Sequence, residues 1–266
     1  MNPDAPFDVL CEPRDGRIEF PATWEQGRGL FGGLVCAAMI RAAEQQLGPE
    51  RPLRSFSAEI VGPVQPGEAR LRVETLRAGN AVTTASIFLE QGSELLAHAV
   101  AVLGKTRMSD RDALGVTPPR PPKWADVEVI PIAPPFGPVF AEHLEFRPTS
   151  PLPFSGGTEP IAEGFVRFKQ NGARRDAAWL AGLIDAFWPT LFALESAPRP
   201  MATLAFTFQP FSVPADLEKD APLFKRTRLA ASEGGYCVEN RELWGHTTSG
   251  ALKLLALNQQ TFVIIK

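Results

Sequence analysis

The run Leu180-Ala-Gly-Leu-Ile-Asp-Ala-Phe-Trp-Pro189 reads as an apolar helix carrying a single acid, Asp185. At about 100° per residue, Asp185 shares its face with Ala181, Gly182, Trp188 and Pro189, while Leu180, Leu183 and Phe187 occupy the far side. No face is polar, so the helix is expected to be buried and wrapped by other elements. A mid-helix carboxylate in that setting needs hydrogen-bond donors or a water, because an unpaired buried charge is costly. Pro189 has no N–H, so the Asp185 carbonyl four residues back loses its usual donor and the helix should kink or stop there. Small residues on the N-terminal side of the acid leave room for another backbone or a substrate, and aromatics on its other side form an apolar wall. Asp185 is then either a structural acid, paired with an arginine or capping a turn, or a functional one.

Strand patterns flank this helix. They run near 143–147 and 159–169 before it, and over 202–211, 224–232, 236–245 and 252–265 after it. The same order stands earlier in the chain. A strand at 17–20 leads into the loop Trp24-Glu-Gln-Gly-Arg-Gly-Leu-Phe-Gly-Gly33, then a buried helix over 34–47 stopped by Gly48-Pro49, then strands at 54–61, 69–76, 81–91 and 94–104. The repetition predicts an internal duplication of a strand, helix and meander unit. The expected fold class is α+β, two tandem helix-wrapped antiparallel sheets joined edge to edge into one long sheet, which hides strand edges that would otherwise aggregate. The prolines of 108–140 mark a linker, giving expected domains 1–107 and 141–266 on either side of it.

The composition removes several function classes. The 266 residues are 44% apolar and 21% charged with a formal net charge of -3, which suits a soluble protein and offers nothing to a phosphate backbone. No nucleic-acid partner is expected. The chain opens without a signal peptide and has no apolar run of membrane-spanning length, so no membrane partner is expected either. Cys11, Cys36 and Cys237 have no metal-ligand spacing and an odd number, which fits a reducing cytoplasm. Neither a metal nor a cofactor is expected, since no acidic ligand cluster and no dinucleotide fingerprint is present.

Gly32 and Gly33 fall at the start of the first helix, where glycines let a carbonyl oxygen or an anion approach unsatisfied N–H groups at the positive end of the dipole. On this reading a larger residue at Gly33 should harm turnover more than stability; a tight turn is the alternative. The first helix has no central acid. Its Glu44 lies near the C-terminal end and reads as a surface residue, so only the second helix is expected to supply a base.

Four stretches together resemble the TesB-like, or type II, acyl-CoA thioesterases. They are Arg28-Gly-Leu-Phe-Gly-Gly-Leu-Val35, Pro52-Leu-Arg-Ser-Phe-Ser57 with Gly62-Pro63, Asp185-Ala-Phe-Trp-Pro189 and Leu254-Leu-Ala-Leu-Asn-Gln-Gln-Thr261. The resemblance spans most of the chain outside the linker and implies a double hot-dog fold. It also implies an Asp on the second helix, a Thr or Ser on the next strand and a Gln on the last strand that together position a water. Asp185 fits the first and Thr203 the second. The third is Gln260 when aligned on Leu254-Leu-Ala and Asn258 when counted from Gly250, with Gln259 between them. Asp185, Thr203 and Gln260 are accordingly assigned to catalysis, and Phe31, Gly32, Gly33 and Trp188 to substrate binding.

The chemistry is consistent with the residue types. Thioester hydrolysis needs a base for water and donors for the developing oxyanion, and a hydroxyl and an amide can orient the water. The expected function is an acyl-CoA thioesterase whose partner is an acyl thioester; a homo-oligomer stays open. The alternatives are a hot-dog hydratase acting on enoyl or hydroxyacyl thioesters and a non-catalytic acyl-CoA-binding protein. The hydratase is disfavoured because neither helix holds a histidine, and the binding protein stays open because fold does not fix function.

Overall fold

A computed structural model describes residues 5–48, 50–109, 111 and 113–265. Pro49 of the expected helix stop and the first four residues lie outside the described residues. In chain order the first half holds α1 (Phe7–Leu10), β1 (Arg17–Phe20), a small hairpin of β2 (Glu25–Gln26) and β3 (Gly29–Leu30), and α2 (Gly32–Leu47). It continues with β4 (Leu53–Ile60), β5 (Gly67–Ala78), β6 (Val82–Gln91) and β7 (Glu94–Gly104). The second half holds β8 (Leu144–Pro148), β9 (Ile161–Phe168), α3 (Ala177–Asp185), β10 (Met201–Pro210), β11 (Leu223–Glu233), β12 (Tyr236–His246) and β13 (Leu252–Ile264).

Apart from the hairpin, the strands form one 11-stranded sheet in the order β1-β5-β6-β7-β4-β10-β13-β12-β11-β9-β8. The halves meet where β4 pairs antiparallel with β10, Phe206 opposite Ala58 and Phe208 opposite Phe56. Each half therefore runs helix, then four strands in the spatial order first, fourth, third, second. This is the expected long sheet of a double hot-dog, with one hydrophobic core running through both halves. The duplication extends to the ladder irregularities. Register shifts fall between Leu53 and Ser55 in β4 and between Thr203 and Ala205 in β10. They recur between Thr75 and Arg77 in β5 and between Leu229 and Ala231 in β11. A third pair lies between Leu89 and Glu90 in β6 and between Leu243 and Trp244 in β12.

The two helices lie against each other because glycine stands at their contact. A side-chain carbon on Gly33 would lie 3.0 Å from the Gly182 Cα and 2.5 Å from the Phe31 ring. Gly182 is equally constrained, since a carbon there would come within 2.5 Å of Phe7 and 2.8 Å of Phe168. The small residues beside Asp185 thus admit the backbone of α2, and a valine at Gly33 would strike the core. Such a change should cost stability as well, which corrects the expectation that it would harm turnover more than stability.

Elements of the first half and the linker also dock on the second. Phe7 stacks on Phe168 at 4.1 Å, and Asp8 accepts hydrogen bonds from the backbone of Ala173 and Arg174 at 2.8 and 3.1 Å. Residues 105–109, 111 and 113–123 carry no helix or strand. Beyond them Trp124 lies beneath the guanidinium groups of Arg147 and Arg167, and Ile130 bridges to Phe146.

At the other end of the helix pair, Arg41 is 1% exposed and holds Asp176 at 2.7 Å, Glu44 at 3.2 Å and Glu12 at 3.4 Å. Glu44 is therefore not the surface residue expected. Its carboxyl is pushed up from 4.5 to about 7 by burial and by the nearby Asp176 charge, against the opposing pull of Arg41. The folded chain holds this proton where the unfolded chain has released it. Stability from this group is present below pH 4.5 and is lost as pH rises through about 7. Glu44→Gln should flatten that decline, read as the pH dependence of the urea midpoint; an unchanged slope would remove Glu44 as its source.

Candidate active site

Asp185 closes α3 instead of sitting mid-helix. Ala186 donates back to the Leu183 carbonyl at 3.3 Å, a tightened last turn. The backbone then leaves the helix before Pro189, whose missing N–H and bias on the preceding residue forbid another turn. The acid is consequently at a helix end, 11% exposed, with its two oxygens in different surroundings. Oδ1 accepts from Gln260 Nε2 at 2.7 Å and from Arg241 Nη1 at 3.2 Å. Oδ2 faces the start of α2, where a side-chain carbon on Gly32 would lie 3.0 Å from it.

That end of α2 is uncapped. Phe31 occupies the N-cap position and supplies no side-chain hydrogen bond. The first backbone donors at this end with a partner are those of Leu34 and Val35, which reach the Phe31 carbonyl; the N–H groups of Gly32 and Gly33 have none among the described residues. Gly32 is also only partly buried. Two free donors at the positive end of a 16-residue helix thus open beside a carboxylate. The matching end of α3 is closed instead. Asp176 accepts from the Trp179 N–H at 3.3 Å and takes Arg41 on the same carboxylate.

Beneath Asp185 lies a buried polar cluster on the inner sheet face. Arg241 is 1% exposed and reaches Glu239 Oε2 at 3.1 Å as well as Asp185. Glu239 is fully buried and accepts from the Thr190 backbone N–H and, at 2.7 Å, from the Thr190 hydroxyl. Gln260 gives its second donor to Asn258 Oδ1 at 3.1 Å, and its buried Oε1 has no partner among the described residues. Asn258 thus stands behind Gln260, and Gln259 faces solvent beside Asn240. Aligned on the paired irregularities, the first half carries Ala85, Ile87, Ala99 and Ala101 where the second carries Glu239, Arg241, Asn258 and Gln260. Ile40 likewise holds the ninth helical position of α2, as Asp185 does in α3.

The other expected site residues are placed as follows. Thr203 lies opposite Phe262, on the sheet face that carries Gln260, and its hydroxyl makes no hydrogen bond among the described residues. Its counterpart in the first half is Leu53. Phe31 is fully buried, stacked on Phe140 at 4.1 Å, so it supports the loop from below. Trp188 is partly exposed beside Phe187, with a ring nitrogen that has no hydrogen-bond partner among the described residues. Arg241 and Glu239 were not anticipated. Their alternation along a strand reads as a solvated face in sequence, and only the inward register of β12 reveals them as buried.

The model of the acyl-CoA thioesterase N-terminal domain matches residues 20–104, and that of the C-terminal domain matches residues 113–264. No match is found among curated proteins. Among solved structures, a conserved hot-dog protein from Alicyclobacillus acidocaldarius superposes with a TM-score of 0.83 at 24% identity, covering 98% of both chains. A candidate thioesterase II from Thermobifida fusca gives 0.81 at 21% identity over 100% of both chains. The TesB protein of Mycobacterium avium subspecies paratuberculosis gives 0.74 at 14% identity over 98% of both. At these identities the likeness establishes the fold.

Removing Arg241 alone would leave Glu239 charged and unpaired in the core. Arg241→Met should cost roughly 3–5 kcal/mol in urea unfolding, and adding Glu239→Gln should recover much of it. Equal losses in the single and double variants would show that the two do not act as a pair.

Proposed function

The chain belongs to the acyl-CoA thioesterase family, and from that premise we propose that it hydrolyses its thioester with a water activated by Asp185 between α3 and the start of α2. The observation that carries this reading is the division of labour on one carboxylate. Oδ1 is occupied by Gln260 and Arg241, which leaves Oδ2 as the basic oxygen next to the two free glycine donors.

In the proposed reaction a water sits between Asp185 Oδ2 and the unpartnered Oε1 of Gln260. Asp185 takes one of its protons as the oxygen attacks the thioester carbonyl carbon. The N–H groups of Gly32 and Gly33 receive the oxyanion, supported by the dipole of α2. Collapse of the tetrahedral adduct breaks the C–S bond, and the proton held by Asp185 passes to the departing sulfur. The products are a carboxylic acid and free CoA. Thr203 is assigned to orient the water through its free hydroxyl, and Trp188 to contact substrate at the opening. Phe31 serves substrate binding indirectly, by fixing the glycine pair. The three cysteines are free and buried, which supports a reducing compartment, the cytoplasm.

No described helix is long and apolar enough to cross a membrane. An acyl-CoA presented from solution is therefore the substrate form on which the reading is tested. Asp185→Asn keeps the shape and removes the base, so thiol release should fall by roughly 10² to 10⁴-fold with the fold intact by circular dichroism. Gln260→Leu should also impair kcat, since it frees one side of the carboxylate and removes the water's second partner. Near-normal turnover in Asp185→Asn would discard the mechanism.

A further inference from the structure

Two fully buried polar side chains on the inner face of β11 take no part in the proposed reaction. Lys225 and Thr227 are 0% exposed, and neither Lys225 Nζ nor Thr227 Oγ1 has a hydrogen-bond partner among the described residues. Aligned on the paired irregularities, their counterparts in the first half are Leu71 and Val73, so the fold itself does not require polarity at either position. Burying an amine and a hydroxyl without hydrogen-bond partners is unfavourable, and such groups call for a polar partner.

Their position is close to the site. Thr227 lies directly opposite Arg241, which is in turn opposite Asn258 beside Gln260. Two strand spacings, roughly 10 Å, separate β11 from the strand that holds Gln260. Lys225 Nζ lies 5.1 Å from the centre of the Phe187 ring, which covers it. Phe187 belongs to the segment from Ala186 to Pro189, which is neither helix nor strand and follows Asp185 directly. The ring nitrogen of Trp188, next to Phe187, also has no hydrogen-bond partner among the described residues.

Resting on the thioesterase reading above, we propose that the acyl group of the substrate carries an oxygen substituent several carbons from the thioester, a hydroxyl or a carboxylate, which is received by Lys225 Nζ and Thr227 Oγ1. Both sources offer the same chemistry, an oxygen acceptor at the end of a short acyl chain. Burial, with the charge of Arg241 beside it, holds the Lys225 ammonium well below its ordinary range. The nearby charges of Glu239 and Asp185 pull the other way; charged or neutral, the amine donates to a hydroxyl, and a carboxylate favours the charged form and pairs with it. Lys225 and Thr227 are thus specificity residues that touch the acyl end and leave the reacting atoms to Asp185 and Gln260.

Thiol release from the full chain tests this with length-matched pairs: hexanoyl-CoA against ω-hydroxyhexanoyl-CoA and adipoyl-CoA, repeated with the butanoyl and octanoyl series. The expected result is an oxygenated member favoured by about tenfold or more in kcat/KM at one length, because a hydrocarbon leaves the buried donors unmet. Lys225→Met combined with Thr227→Val should bring that ratio to about one or reverse it while thiol release persists. The same variant should melt higher than the parent, since it removes unpaired polar groups. A ratio near one at every length in the parent chain, or a preference that survives the double variant, overturns the proposal. If the double variant does not fold, Thr227→Val alone serves: the ratio should fall, and an unchanged ratio counts against the proposal. Absence of thiol release with every member sinks the hydrolase reading and this proposal with it, whereas release without preference sinks this proposal alone.

Discussion

Arg241 lies almost without solvent between two carboxylates, Glu239 on its own strand and Asp185 at the end of α3, and the geometry of the site depends on that triad. Two acids and a guanidinium in the core lose their hydration, and the loss is tolerable only when each is paired and hydrogen-bonded. Here the pairing is nearly complete. Thr190 holds Glu239, Glu239 holds Arg241, and Arg241 with Gln260 holds one oxygen of Asp185. The sheet thereby fixes the rotamer of a helix-terminal side chain, which would otherwise be free once the helix had ended. The second oxygen of Asp185 has no hydrogen-bond partner among the described residues and is turned towards the start of α2.

The duplication explains why this arrangement occurs once. The two halves share strand order and three register shifts, so their inner faces can be compared position by position. One face is alanine and isoleucine, and the other is glutamate, arginine, asparagine and glutamine. The helix ends diverge in the complementary sense. The start of α2 is bare glycine beside Asp185, while the start of α3 is sealed by Asp176 and Arg41. In the proposed reaction one helix supplies the donors and the other the acid, so the site would belong to the pair. The apolar half is left to packing, and the sealed start of α3 ties the helices together through the Arg41–Asp176 ion pair.

Much of this was legible in sequence. The glycine pair before a buried helix, the repeated helix and meander order, and one acid on an otherwise apolar helix led to the fold, the helix junction and Asp185. The position of Asp185 at the helix end was legible only in part. Pro189 announced a stop, but the preceding-residue bias and the lost donor act together to end the helix four residues early. That Gln259 faces outward shows only in the ladder of β13, because a single register shift exchanges inward and outward residues, and that Gln260 and not Asn258 reaches Asp185 shows only in the tertiary contact. Arg241 and Lys225 escaped notice for a related reason. Charged residues alternating along a strand ordinarily mark its wet face, and here the register of β11 against β12 turns them inward.

The central claim is that two duplicated halves make one working site per chain. A calorimetric titration of the protein with a non-hydrolysable S-alkyl-CoA thioether tests it most directly, because occupancy is read without turnover. The account predicts one equivalent bound per chain, with a carboxyl at position 185 required for a catalytic pose but not for stoichiometry. Two equivalents of similar affinity per chain would mean that the sealed end of α3 also receives substrate, and would contradict the account.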